Sequence, residues 1–375
     1  MDFSLVASVF EALHISPPSK LILLEAPTLS SAHVPSFPPD VPALITSLDS
    51  REVALQVKNV LLAVYPAEHE VFLVNLITTV QSIEEKNLIS LSLVGLADEK
   101  KLDQYFSQAT FLYLPALGEG TSFESFQEIV AHLRAPNGCP WDKEQTHASL
   151  RKHLLEESYE AIAALDSGDF NSMCEEFGDL LLQIMLHSQI ASEEGEFTAN
   201  DVVKGIFDKI IRRHPHVFGD AEVSGVDGVL TNWEKLKAKE RKSKGEKQKG
   251  MLDGVPLALP ALSQAQEYQD RAARVGFDWP VVGGVLDKLA EEIQEVKQAE
   301  TDFQLADEIG DLFFVLVNFA RWKKLDAESA LRGANIKFKR RFGYIEQSAK
   351  EHGINLSDMK LEEMDALWDE AKKKE

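Results

Sequence analysis

Residues 122–375 carry one succession of motifs twice, and that duplication constrains the fold more than any other feature of the chain. The first copy reads Pro140-Trp141-Asp142, then Leu155-Glu156-Glu157-Ser158-Tyr159-Glu160, then Glu175-Glu176-Phe177-Gly178-Asp179-Leu180-Leu181. The second reads Phe277-Asp278-Trp279-Pro280, then Ala290-Glu291-Glu292-Ile293-Gln294-Glu295, then Asp307-Glu308-Ile309-Gly310-Asp311-Leu312-Phe313. Each continues into a cationic helical stretch, Lys209-Ile210-Ile211-Arg212-Arg213 and Lys337-Phe338-Lys339-Arg340-Arg341. Each closes near a tryptophan and a lysine, Trp233 with Lys237 and Trp368 with Lys372. One order kept twice predicts two tandem, mainly α-helical domains, over 121–250 and 251–375. A basic stretch from Lys235 to Lys249, followed by Gly250 and Pro256–Pro260, reads as a solvated helix end plus linker at their boundary.

The first 120 residues have a different pattern. Short β-like runs at Ala43–Ile45, Val71–Ile77, Leu88–Val94 and Phe111–Leu114 alternate with helical patterns at Phe3–Leu13 and Val53–Val64. This predicts a small α/β segment over 1–120. No glycine precedes Gly95, so a glycine-rich loop that cradles a nucleotide is not expected there.

The acids of the repeats carry the chemistry. On a helix over 154–165, Leu154, Leu155, Tyr159, Ile162 and Leu165 form an apolar stripe, and Glu156, Glu157 and Glu160 crowd its flank. Glu157 and Glu160 stand three apart and face one region of space, a repulsion of a few tenths of a kcal/mol, roughly, on a bare helix. Glu176 and Asp179 repeat that spacing beside the apolar run Leu180-Leu181-Leu182, where unpaired carboxylates are expensive. Gly178 removes a side chain between them and leaves room for a close approach. Two such helices packed antiparallel would gather four carboxylates, and the set recurs at Glu292, Glu295, Glu308 and Asp311. A single EExxE is commonly a solvated helix face; its pairing with ExxD, twice, is not. Oxygen-only ligands suit Mg²⁺, with Mn²⁺ as an alternative. The missing Glu-x-x-His spacing disfavours a di-iron bundle. Lys337 and Arg341, four apart, form a candidate clamp for phosphates, with Lys209 and Arg213 as their counterparts. Trp141 and Trp279 read as core or as base-stacking residues. His214-Pro215-His216 reads as a cap or phosphate contact, since Pro215 ends the helix.

Charge narrows the partners. A formal net charge of −22 argues against nucleic acid as a partner. The apolar runs are too short to span a membrane. Two isolated cysteines, Cys139 and Cys174, fit a reducing cytoplasm, and no signal peptide is expected.

Taken with Asn137-Gly138-Cys139-Pro140-Trp141-Asp142, Arg212-Arg213-His214-Pro215-His216-Val217-Phe218, Val275-Gly276-Phe277-Asp278-Trp279 and Asn335-Ile336-Lys337-Phe338-Lys339-Arg340-Arg341-Phe342, the repeats resemble the tandem-domain MazG proteins. The resemblance covers about 122–375. It implies an all-α nucleoside triphosphate pyrophosphatase fold in which helices of two subunits complete each bundle, hence a dimer. It implies cleavage of nucleoside triphosphates to a monophosphate and pyrophosphate, as in clearance of the nucleotide pool. It implies metal ligation by Glu157, Glu160, Glu176 and Asp179, and by Glu292, Glu295, Glu308 and Asp311. Glu156 and Glu291 would orient or activate water. Asn335, Lys337, Arg341 and Trp368 would contact substrate, as would Lys209, Arg213 and Trp233 in the first copy. Alternatives on the same fold are a nucleotide-binding regulatory module without turnover, or a pyrophosphatase specific for dUTP or phosphoribosyl-ATP. Residues 1–120 resemble the C-terminal half of a tetrapyrrole methylase domain, through Phe10–Ile15, Pro38–Ile45, Tyr65–Val71 and Leu112–Pro115. Methyl transfer is not expected of them, because the glycine-rich half that would hold the donor is not in the sequence.

Overall fold

The computed structural model describes residues 3–374 apart from 30, 79–82, 98–99, 226–227, 230–231, 234–235 and 237–249. Lys237, and all of the basic stretch except Leu236, lie outside the described residues. By contacts the chain forms two units, residues 1–158 with 177–202, and residues 159–176 with 203–375.

The first unit begins with α1 (Phe3–Leu13), β1 (Ile22–Glu25), α2 (Ala26–Leu29), β2 (Ala43–Thr46), α3 (Arg51–Leu61), β3 (Glu70–Thr78), β4 (Ile83–Ser92) and β5 (Thr110–Leu114). Its five strands lie in the order β1-β2-β5-β3-β4. Only β1 and β2 run parallel; the other neighbours are antiparallel. Strand alternation builds two apolar layers. Ala43, Ile45, Leu73 and Leu112 face α3 through Val57 and Leu61, whereas Leu44, Val74 and Phe111 face α1 through Val9 and Phe10. The α/β expectation holds, with β1 and the polar start of β4 added to it.

The helices that follow are α4 (Phe123–Arg134), α5 (Pro140–Glu144), α6 (His147–Ser167) and α7 (Phe170–Glu193); the end of α6 and the start of α7, residues 159–176, fall in the second unit and the rest in the first. Ser122 caps α4 by accepting from the Ser125 backbone N–H. Val130 of α4, Leu150 of α6, and Leu186 and Ile190 of α7 form a shared core. Arg134 locks the end of α4 in place. Its guanidinium donates to both carboxylate oxygens of Glu193, at 2.7 Å for the closest, and to the carbonyls of Asp142 and Gln145. The arginine side chain is almost wholly buried, and its bond holds the Glu193 carboxyl below the usual range.

The second unit contains α8 (Ala199–Arg213) from residue 203 onward, α9 (Pro215–Phe218), α10 (Ala261–Ala273), α11 (Val282–Gln298), α12 (Asp302–Trp322), α13 (Ala327–Glu351) and α14 (Leu361–Lys373). α11 packs along α12, α10 rests against α12 and α13, and α13 pairs with α14. Gln269 of α10 donates to the Phe314 carbonyl inside α12 at 2.8 Å, and Gln266 accepts from the Ala327 N–H that opens α13. The entry to α11 is pinned by Asp278, which accepts from Arg321 at 2.6 Å and from the Trp322 indole at 3.2 Å. Gly276 turns the chain there at φ +88, a left-handed conformation that favours glycine. Trp279 lies over Gly284; a β-carbon on Gly284 would fall 2.1 Å from its ring. The tryptophan is therefore a packing residue of the α11 entry, while Trp141 is half exposed and edge-on to His153.

Arg134→Ala should lower stability by about 2 kcal/mol, because two carbonyls and Glu193 lose their donor; the figure is below the full cost of a broken buried pair since Glu193 is over a third exposed. Urea unfolding of the two proteins side by side measures it, and a loss under about 0.5 kcal/mol contradicts the locking role.

Candidate metal centre and its cationic arms

In the second copy the helix spacing becomes a cluster. α11 carries Glu291, Glu292 and Glu295, and α12, capped at Thr301 by a bond from the Gln304 N–H, carries Glu308 and Asp311. One carboxylate oxygen each from Glu292, Glu295 and Glu308 lies within 4.8 Å of the others. Glu292 is 2 % exposed. Its Oε1 receives Lys288 Nζ at 2.7 Å, and its Oε2 is buried without a hydrogen-bond partner. Lys288 also reaches Glu291 at 2.9 Å and Glu295 at 3.9 Å. Those carboxylates hold its ammonium pKa well above the usual lysine range. Glu308 is pushed up by burial and then by the charges of Glu295, Glu292, Asp311 and Asp307. An orphaned buried oxygen among crowded, oxygen-only donors fits a hard divalent cation. Asp311 is exposed and stands outside the 4.8 Å cluster.

In the first copy, oxygens of Glu157, Glu176 and Asp179 lie within 4.8 Å of one another, and Glu160 is exposed outside that set. Three of each predicted four thus converge, and the odd one differs: Glu160 on α6, Asp311 on α12. Glu156 pairs with His153 at 3.2 Å, the position that Lys288 occupies in the second copy. Gly178 and Gly310, between the acids of each second helix, face open space; a β-carbon on either would meet nothing within 4 Å.

The cationic arms also match between copies. Arg213 lies over the Trp233 ring at 5.5 Å, and Arg341 over the Trp368 ring at 5.4 Å. Phe338 packs against the same Trp368 at 5.4 Å. Lys209, Asn335 and Lys337 are exposed. The two arms differ in continuity. α8 stops at Arg213, where His214 Nδ1 donates back to the Ile210 carbonyl at 2.8 Å, whereas α13 runs ten residues beyond Arg341 to Glu351. Lys374 donates to Tyr344 at 2.6 Å and ties α14 to α13 behind Trp368. Lys288 and Arg321 went unremarked in the sequence. A lysine three and four residues before paired glutamates was the available signal for the first; nothing local marks the second.

The profile of the MazG nucleotide pyrophosphohydrolase domain matches residues 145–218 and again 284–344. The uncharacterized protein YabN of Bacillus subtilis (strain 168) is 41 % identical over 380 residues, covering 99 % of this chain and 75 % of that protein. The nucleoside triphosphate pyrophosphohydrolase/pyrophosphatase MazG of Thermotoga maritima is 43 % identical over 253 residues, covering 68 % of this chain and 96 % of its own. The nucleoside triphosphate pyrophosphohydrolase of Escherichia coli (strain K12) is 46 % identical over 253 residues, covering 66 % and 95 %.

Because the folded-state pKa of Glu308 lies above its ordinary value, the native protein binds the extra proton, and its stability falls as pH rises from the ordinary carboxylate pKa through the raised one. A divalent cation takes the proton's place only above that window. Mg²⁺ should therefore raise the melting midpoint clearly at pH 7.5 and scarcely at pH 4.5. Scanning calorimetry at both pH values checks this, and equal shifts would remove the carboxylate cluster as the cause.

Proposed function

The chain belongs to the MazG family of nucleotide pyrophosphohydrolases, and we propose that its acid clusters and Arg–Trp arms together hydrolyse nucleoside triphosphates to a nucleoside monophosphate and pyrophosphate. The observation that carries this reading is the buried, unpartnered Oε2 of Glu292 beside Glu295 and Glu308. Glu292, Glu295 and Glu308, with Asp311 on the same helix as Glu308, would hold Mg²⁺, which would supply charge neutralisation for the phosphates and an acidified water. The first copy offers Glu157, Glu176 and Asp179, with Glu160 at the rim. Glu291 and Glu156, exposed and next in sequence to Glu292 and Glu157, would accept the proton of the attacking water. Lys337 and Arg341 on α13, and Lys209 and Arg213 on α8, hold the phosphates. Trp368 and Trp233, each faced by an arginine, would offer a flat surface for the nucleoside, and Asn335, exposed on α13, would contact the substrate. Positioning and charge neutralisation are most of what phosphoryl chemistry requires of a protein. Residues 251–375 and 121–250 act as the two catalytic domains in this reading, and residues 1–120 as the methylase-like segment.

The product pattern and two isosteric substitutions test this function. The unmodified chain should release monophosphate and pyrophosphate in equal amounts with Mg²⁺ or Mn²⁺; diphosphate with orthophosphate as the main products would refute the cleavage site. Glu308→Gln should lower turnover on the order of 100-fold, while Glu176→Gln should lower it less than about tenfold. The difference follows from the uninterrupted α13 clamp against the α8 clamp, whose helix ends at Arg213. Equal losses would point to equivalent or coupled sites, and the opposite order would refute the clamp argument. A nucleotide-binding module without turnover would bind the triphosphate and release nothing.

Assembly belongs to the same reading. Leu155, Tyr159 and Leu165 of the α6 stripe are exposed, Leu155 at 57 %, and Phe170 and Phe303, near the starts of α7 and α12, are each 82 % exposed. Faces of this size mark association surfaces, and a second copy of the chain completes each helical bundle. Sedimentation at micromolar concentration should give a dimer or larger species, and Leu155→Glu should shift it toward monomer. An active monomer of the unmodified chain would contradict the assignment.

A further inference from the structure

Lys288 stands one turn ahead of the acids it touches, on the same helix, at 2.7 Å from Glu292, 2.9 Å from Glu291 and 3.9 Å from Glu295. It thus contacts two of the proposed metal ligands and the proposed base. Its partner Glu292 is 2 % exposed, and a carboxylate so deep is strongly unfavourable without a compensating charge. The lysine itself is a third exposed, on a flexible stem that can swing its head into water.

We propose that Lys288 is the internal counter-ion of the metal-free second site, and that its ammonium releases Glu291, Glu292 and Glu295 when a divalent cation binds. The inference rests on the metal reading above and adds a competitor to it. An ammonium and a divalent cation sharing the oxygens of one small cluster repel each other across a few ångströms of partly dry protein. Glu292 offers its Oε2 while Oε1 is still engaged, so the incoming cation has a foothold before the lysine leaves. The affinity of this site then measures an exchange of cations rather than the filling of a bare acid cluster. The first copy is built differently. His153 occupies the matching position and pairs with Glu156 at 3.2 Å.

The test begins with the unmodified, metal-free full chain and Mn²⁺ as the probe. A short pulse of an amine-reactive reagent, read by peptide mass spectrometry, should label Lys288 several-fold faster once Mn²⁺ is added. Slower or unchanged labelling overturns the proposal, and this arm needs no variant. In a chain carrying Glu176→Gln, so that the strong titration reports the second copy, Lys288→Met keeps the stem and removes the charge. It should lower the metal-free melting midpoint by about 2–4 °C and tighten Mn²⁺ affinity about tenfold. Lys288→Arg should restore both values. Weaker Mn²⁺ binding by Lys288→Met would make the lysine an orienting group that stays in the loaded site. A lowered midpoint with unchanged affinity would make it an ordinary helix salt bridge. Either result overturns the counter-ion role. Failure of the unmodified chain to bind Mn²⁺ at all would instead remove the metal reading on which the proposal stands.

Discussion

Three carboxylates gathered within 4.8 Å repel one another, and the packing of the second repeat is arranged to hold them against that repulsion. The helices cannot relax by drifting apart, because α12 is bound on its other side. Gln269 of α10 reaches the Phe314 carbonyl, and Arg321 at the end of α12 is fastened to Asp278 before α11 begins. These bonds involve no group that meets substrate, yet they fix the spacing of Glu292 and Glu308. Lys288 offsets part of that repulsion in the native state, and a divalent cation bound among the three acids would take over the offset.

The same logic runs through the first copy with different parts. Arg134 collects the ends of α5 and α7 through two carbonyls and one carboxylate, and so sets where α6 starts relative to its neighbours. Duplication has kept the acids and changed the fasteners. The acids answer to the chemistry of a divalent ion and a polyphosphate; the fasteners answer only to local packing, and many solutions serve equally well.

That distinction also explains what could be read from the sequence. Carboxylates three apart beside apolar runs, twice in the same order, disclosed the helices, the duplication and the oxygen-only donor set. The alternation of Ala43, Leu44 and Ile45 disclosed a strand with apolar layers on both faces. The charged start of β4, Ile83-Glu84-Glu85-Lys86, gave no such signal, because an edge strand is free to be polar on both faces. Spacing on a helix gives direction within about one turn, and it cannot say which side chain reaches the centre. Glu160 and Asp311 share the helical spacing of their neighbours yet stand outside the clusters, a matter of rotamer and helix crossing. The depth of Glu292 was hidden for the same reason, since burial is decided by the partner helix.

Gly178 and Gly310 sit in the middle of long helices, where alanine would favour helix by roughly 1 kcal/mol each, and a β-carbon at either position would meet nothing within 4 Å among the described residues. An isolated chain has no use for those two hydrogen atoms in place of methyl groups. The advantage must accrue to a state in which something else comes close, either a neighbouring helix or a phosphate. Selection for heat resistance applied to the metal-free, substrate-free protein would find the alanines quickly and would keep them. It would thereby enrich a scaffold that folds better and has closed the space its chemistry occupies.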